Sequence, residues 1–77
     1  MNHFEPIQEL IASTLGIEKQ RITSATTQAE VPEWDSVSHL NLMIAFEDTF
    51  RLKLTVSDMQ HLNSVPAMRL FLEEHGL

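Results

Sequence analysis

The sequence predicts an all-α protein, a small antiparallel bundle of three main helices plus one short helix, with a long loop between the first and second. Three observations support this. Apolar residues recur at helical spacing in three separate segments. No stretch alternates apolar and polar residues long enough to build a sheet. The chain has only 2 Gly and 3 Pro, and they fall mostly where helices would begin or end. At 77 residues and 8.8 kDa it holds one domain, residues 1–77.

In the first segment, Phe4, Ile7, Leu10, Ile11 and Leu15 keep helical spacing. Pro6 stands in the first turn, where a missing N–H costs nothing, and Gly16 follows as a C-cap. Residues 17–35 are rich in Thr, Ser and charge without a sustained period, and Ile17, Ile22 and Val31 are the expected anchors into the core. A connection this long in so small a chain is a candidate carrier of function. Ser36 to Phe50 reads as an uninterrupted helix. A short helix is expected from Ser57 to Leu62, capped by Ser57 or Thr55. Ser64 is the expected N-cap of the last helix, with Val65 and Pro66 in its first turn. Val65, Met68, Leu70, Phe71 and Leu72 form its apolar side, and Gly76 follows its end.

The helix from Ser36 carries more apolar surface than one core contact requires. Counting from Ser36, Leu42, Met43, Phe46 and Phe50 fall between roughly 240° and 340° on a helical wheel. Val37, Leu40 and Ile44 fall between roughly 40° and 100°, a separate stripe. The aromatic arc should face the core. The second stripe is either wrapped by the bundle or an exposed docking face, with Glu47 and Asp48 as nearby steering charges.

Charge and composition narrow the function classes. Eleven acidic residues against five Lys and Arg give a formal charge of −6. Such a surface repels phosphate backbones and anionic lipid, so nucleic acid and membrane are not expected partners, whereas proteins with basic patches are. There is no Cys, hence no disulfide, thiolate metal site or thiol nucleophile. The start, MNHFEPIQEL, lacks the basic region and apolar stretch of a secretory signal, and the expectation is a cytoplasmic monomer. So small a domain has little core to spare for a catalytic pocket. His3, His39, His61 and His75 are dispersed without metal-ligand spacing, so no metal site is expected. Met43, Met59 and Met68 read as flexible core filling. Ser36 lacks the GxSxG setting of a hydrolase.

Trp34-Asp35-Ser36-Val37 joins the long loop to the second helix. Read plainly, it is a cap in which Asp or Ser accepts first-turn N–H groups. The same geometry exposes a Ser hydroxyl where an attached phosphate meets the positive end of the helix dipole. The segment EWDSVSHLNLMIAFEDTF resembles the heart of acyl carrier proteins, and the likeness extends along the chain: a first helix ending at Leu15-Gly16-Ile17, a long loop, the modification helix, a short third helix and a last helix begun by Ser64-Val65.

The resemblance implies a discrete carrier, not an enzyme. Ser36 would be the attachment point of 4′-phosphopantetheine, derived from coenzyme A, whose thiol holds acyl groups as thioesters. A phosphopantetheinyl transferase would activate the hydroxyl and supply the magnesium. Asp35, Val37, Leu40, Ile44, Glu47 and Asp48 would be read by acyl-loading, condensing or transferring enzymes of fatty-acid, polyketide or related biosynthesis. Val37 departs mildly from the usual Leu, and Glu33-Trp34 suggests a bulkier approach to Ser36. Ser38 and Asn41 are neutral where fatty-acid carriers are commonly acidic, and His39 lies within the core arc. These departures favour a dedicated polyketide, modified-acyl or aminoacyl pathway as much as the general fatty-acid one. The alternatives are a peptidyl or aminoacyl carrier and a non-modified helical adaptor docking through Val37, Leu40 and Ile44.

Overall fold

Prolines, glycines and short polar residues mark the helix boundaries in a computed structural model that describes residues 3–77. Helix α1 spans Phe4–Leu15, with Pro6 in its first turn, and stops at Gly16, whose φ of 70° is the left-handed conformation that glycine adopts without a Cβ clash. Helix α2 spans Ser36–Phe50. The short α3 spans Val56–His61. Helix α4 spans Val65–Glu74, capped by Ser64, whose side chain accepts the Ala67 N–H at 3.1 Å. The four helices form the expected bundle, in which α1 packs against both α2 and α4, and the described residues contain no strand.

Helix α2 keeps its expected bounds, and α3 lies one residue earlier than its expected span of Ser57 to Leu62. Of the two candidate caps of α3, Thr55 serves: its hydroxyl accepts the Asp58 N–H while the Asp58 carboxylate accepts the Thr55 N–H, both at 3.0 Å. This reciprocal pair satisfies two amides at once and starts the helix at Val56. Helix α2 ends without glycine. Arg51 takes φ 54°, and Glu47 compensates, its backbone oxygen accepting the Leu52 N–H at 3.0 Å and its carboxylate the Leu54 N–H at 2.8 Å.

The buried core is formed by Ile7 and Ile11 from α1, Ile22, Val31 and Trp34 from the loop, Leu42, Met43 and Phe46 from α2, Leu62 before α4, and Val65, Met68 and Leu72 within it. Phe46 packs against Phe50 at 5.0 Å between ring centroids and edge-on to Phe71 at 6.1 Å. Ile17, Phe50, Met59 and Phe71 are half-buried against this core. Leu70, expected on the buried side of α4, is exposed.

The long loop is ordered by its own short-range bonds and by two anchors. Two 3₁₀ turns, Lys19–Arg21 and Gln28–Glu30, tighten it. The Gln8 side chain donates from α1 to the carbonyls of Lys19 and Ile22. At the other anchor, Val65 N–H donates to Thr26 O and Gln28 N–H to Asn63 O, both at 2.9 Å. These bonds tie the loop to the start of α4, so residues 31–35 approach α2 from a fixed direction.

Candidate functional site

Asp35 and Ser36 have separate roles at the start of α2. Asp35 is the N-cap, in extended backbone, and its carboxylate accepts the Ser38 N–H at 2.8 Å. That backbone bond holds the Asp35 carboxyl below its ordinary range, with the Ser38 side chain adding to the effect. Ser36 is the first helical residue and is exposed. Because Asp35 does the capping, the Ser36 hydroxyl is free of that duty, and it enters no hydrogen bond among the described residues.

Glu33 and Trp34 do not crowd the serine as their size suggests. Glu33 turns to Arg21, whose guanidinium donates to both carboxylate oxygens at 2.7 and 2.8 Å. This pairing draws the Glu33 carboxyl down to about 2. Trp34 is only 2% exposed and belongs to the core. Its Nε1–H donates to His39 Nδ1 at 3.0 Å, and His39 Nε2 lies 2.7 Å from the Met59 carbonyl oxygen. Sequence reasoning missed this bridge. The available signals were an aromatic N–H donor five residues before a histidine on the inward arc.

The two arcs of α2 separate as their spacing predicts. Leu42, Met43 and Phe46 are fully buried, and Phe50 is half-buried. Val37 is 71% exposed and Leu40 and Ile44 are each 55% exposed, forming a stripe that begins beside Ser36. Asp48 is exposed nearby on the same helix, whereas Glu47 is half-buried and already bonded to the Leu54 amide. Val56, at the start of α3, is a further exposed apolar side chain outside the expected set.

A groove of 260 Å³ is lined by Asp58, His61, Leu62, Ala67, Leu70, Phe71 and Glu74, and another of 340 Å³ by Pro6, Glu9, Leu10, Ser13 and Thr49. Neither includes Ser36 or the exposed stripe. The described residues contain no group of His, Asp and Glu arranged to hold a metal ion. No helix among them is long and apolar enough to cross a membrane.

The geometry can offer a partner protein one unencumbered hydroxyl at the positive end of a helix, flanked by an apolar stripe. No general base among the described residues bonds to that hydroxyl. Comparison with known proteins gives a consistent picture. No protein-family model matches the chain. An acyl carrier protein of Buchnera aphidicola subsp. Baizongia pistaciae is 32% identical over 62 residues, which cover 80% of each chain. An acyl carrier protein of Phytoplasma mali is 29% identical over 72 residues, covering 94% of this chain and 86% of that one. Among solved structures, a holo acyl carrier protein from Geobacter metallireducens has the same fold, with a TM-score of 0.82 at 20% identity over 96% of this chain and 85% of that one.

Proposed function

The chain belongs to the acyl carrier protein family, and on that premise we propose that residues 1–77 act as one carrier domain whose Ser36 hydroxyl holds 4′-phosphopantetheine. The observation that carries this reading is the division of labour at α2, where Asp35 caps the helix and leaves Ser36 exposed and unbonded at its first position. An attached phosphate there faces helix N–H groups and the positive end of the dipole. When bound, the group supplies the thiol that this cysteine-free chain lacks.

The chain's own residues do the rest. Asp35 holds the helix end in shape, and the exposed Val37, Leu40 and Ile44 give a partner enzyme an apolar strip directly beside the serine. Asp48 and the net negative surface favour partners with basic patches. A phosphopantetheinyl transferase carrying coenzyme A and magnesium is the first such partner, and enzymes that load, condense or transfer acyl groups follow. Glu47 is a weaker member of this surface, because its carboxylate already holds the Leu54 amide.

The test is intact mass after incubation with coenzyme A and a broad-specificity transferase. One phosphopantetheine should be added, and Ser36→Ala should abolish the gain. Modification that persists in Ser36→Ala, or that never occurs in the parent with several active transferases, would overturn the assignment. In the latter case a helical adaptor docking through the same stripe becomes the better reading.

A further inference from the structure

Trp34 offers a single indole donor, so the bond from its Nε1–H requires that His39 Nδ1 be an unprotonated acceptor. The imidazole proton then sits on Nε2 and is donated to the Met59 carbonyl at 2.7 Å. One neutral tautomer thus joins three elements: the end of the loop, α2 and α3. The rings of Trp34 and His39 lie 6.1 Å apart at 30°. Trp34 is also fixed through its backbone, its N–H donating to Val31 O at 2.9 Å and its carbonyl accepting from the Gln28 side chain at 3.1 Å. Two residues further on is Ser36.

We propose that His39 is a positioning residue for Ser36, a protonation-sensitive latch that holds Trp34 inward and so sets the Asp35-Ser36 corner against α2 and α3. Protonated, the ring has two N–H donors and no acceptor. Nδ1–H then points at the indole N–H, the Trp34 bond is lost, and a charge sits in a half-buried position beside the core. The ionisable groups on the adjoining segments do not take over. Glu33 is paired with Arg21, and Asp35 accepts the Ser38 N–H. On α3, Asp58 closes the Thr55 cap and His61 Nδ1 lies 2.7 Å from Ser57 O. Further along α2, Glu47 holds the Leu54 amide, and Asp48 is exposed. The bond to Trp34 therefore requires the neutral His39 ring and is lost when that ring takes a second proton.

The role at Ser36 rests on the reading of that residue as the modification site, whereas the latch itself does not, and the two are tested separately. Trp34 is the only Trp and the chain has no Tyr, so the emission reports the surroundings of this one indole. The wild-type emission maximum should move to longer wavelength between about pH 8 and pH 5, the interval in which imidazoles titrate, while the helical circular dichroism stays constant. His39→Gln retains an amide oxygen to accept and an amide N–H to donate but does not titrate, so its emission should not shift. No shift in the wild type, an equal shift in His39→Gln, or loss of helicity in step with the shift would each overturn the latch.

The second arm measures transferase modification by mass for both proteins at the same two pH values, taking their ratio to cancel the transferase's own pH dependence. The wild-type rate should match that of His39→Gln at the higher pH and fall below it by about fivefold at the lower, the factor a neutral hydrogen bond contributes. A ratio constant with pH overturns the positioning role even if the emission titrates. Absence of modification in both proteins overturns the Ser36 assignment and its positioning role together, leaving the emission data to judge the latch.

Discussion

Replacing Leu40 or Ile44 with Ser and Phe46 with Leu perturbs the two faces of α2 at sites of unequal burial. Phe46 is fully enclosed between Phe50 and Phe71. Phe46→Ala would cost about 3–5 kcal/mol. At about 0.05–0.15 kcal/mol per residue, the 77-residue chain holds only about 4–12 kcal/mol in total. The milder Phe46→Leu, costing about 1.5 kcal/mol, is therefore the usable probe. It should lower Tm by about 6–12 °C, since each kcal/mol moves a domain of this size by about 4–8 °C. Complete burial of a Leu side chain is worth about 1.5–3 kcal/mol, and Leu40 and Ile44 remain 55% exposed. Their polar replacement should thus cost about 1 kcal/mol or less. The order reverses in transferase or acyl-transfer assays. Leu40→Ser and Ile44→Ser should lose most of their rate, because a few apolar anchors carry much of an interface's energy, whereas Phe46→Leu should retain its rate at temperatures where it stays folded. The assay pairs a thermal melt with a modification rate for each variant. If Leu40→Ser and Ile44→Ser melt as early as Phe46→Leu, both arcs belong to the core and the docking face does not exist.

Three further outcomes follow from the surface and the helix ends. Arg51→Gly should stabilise the domain by about 1 kcal/mol, because glycine takes the left-handed conformation without the Cβ clash that Arg51 bears at φ 54°; a urea melt showing no gain would mean that Arg51 makes a compensating contact. Moderate salt should raise Tm by a few degrees by screening a net charge of −6, against which Arg21–Glu33 is the one ion pair among the described residues; a melt insensitive to salt would show that the acidic groups are balanced locally. Arg21→Gln should return the Glu33 carboxyl from about 2 toward its ordinary range. Because the folded value is the depressed one, the pair stabilises above the ordinary carboxylate range and loses that contribution as the pH falls toward 2. Carboxyl chemical shifts across an acid titration read this directly, and the variant should lose only a little stability in neutral-pH melts because both groups are exposed and screened by solvent.

What was legible in the sequence was whatever depends on neighbours along the chain. The start of α4 at Ser64-Val65-Pro66, the stop of α1 at Gly16 and the two arcs of α2 are all determined by residues within a turn or two. Other features depend on more than one local signal. Ser57 and Thr55 are both competent caps, and the choice of Thr55 depends on Asp58 standing three residues on to close the reciprocal bond. Helix α2 stops at Phe50 as read from its apolar pattern, but the left-handed Arg51 that follows, held by the doubled use of Glu47, has no local signal. Leu70 lies two residues from both Met68 and Leu72, about 160° around the helix from each, so the helix itself turns it outward.

The same distinction governs the site. Asp35 and Ser36 were recognisable because capping is local, yet the sequence left open which of them caps, and the answer frees the serine. Trp34 was misjudged because its size was weighed without its direction. Bulk beside a reactive hydroxyl suggests obstruction only if the side chain points outward, and an indole on a loop gains most by burying its ring and finding one acceptor for its N–H. His39 supplies that acceptor from the inward arc of the helix that Ser36 opens. The long loop accordingly does more than connect α1 to α2: anchored to α4 through Thr26 and Gln28 and to α2 through Trp34, it delivers Asp35 to the helix end in the one orientation that leaves Ser36 free.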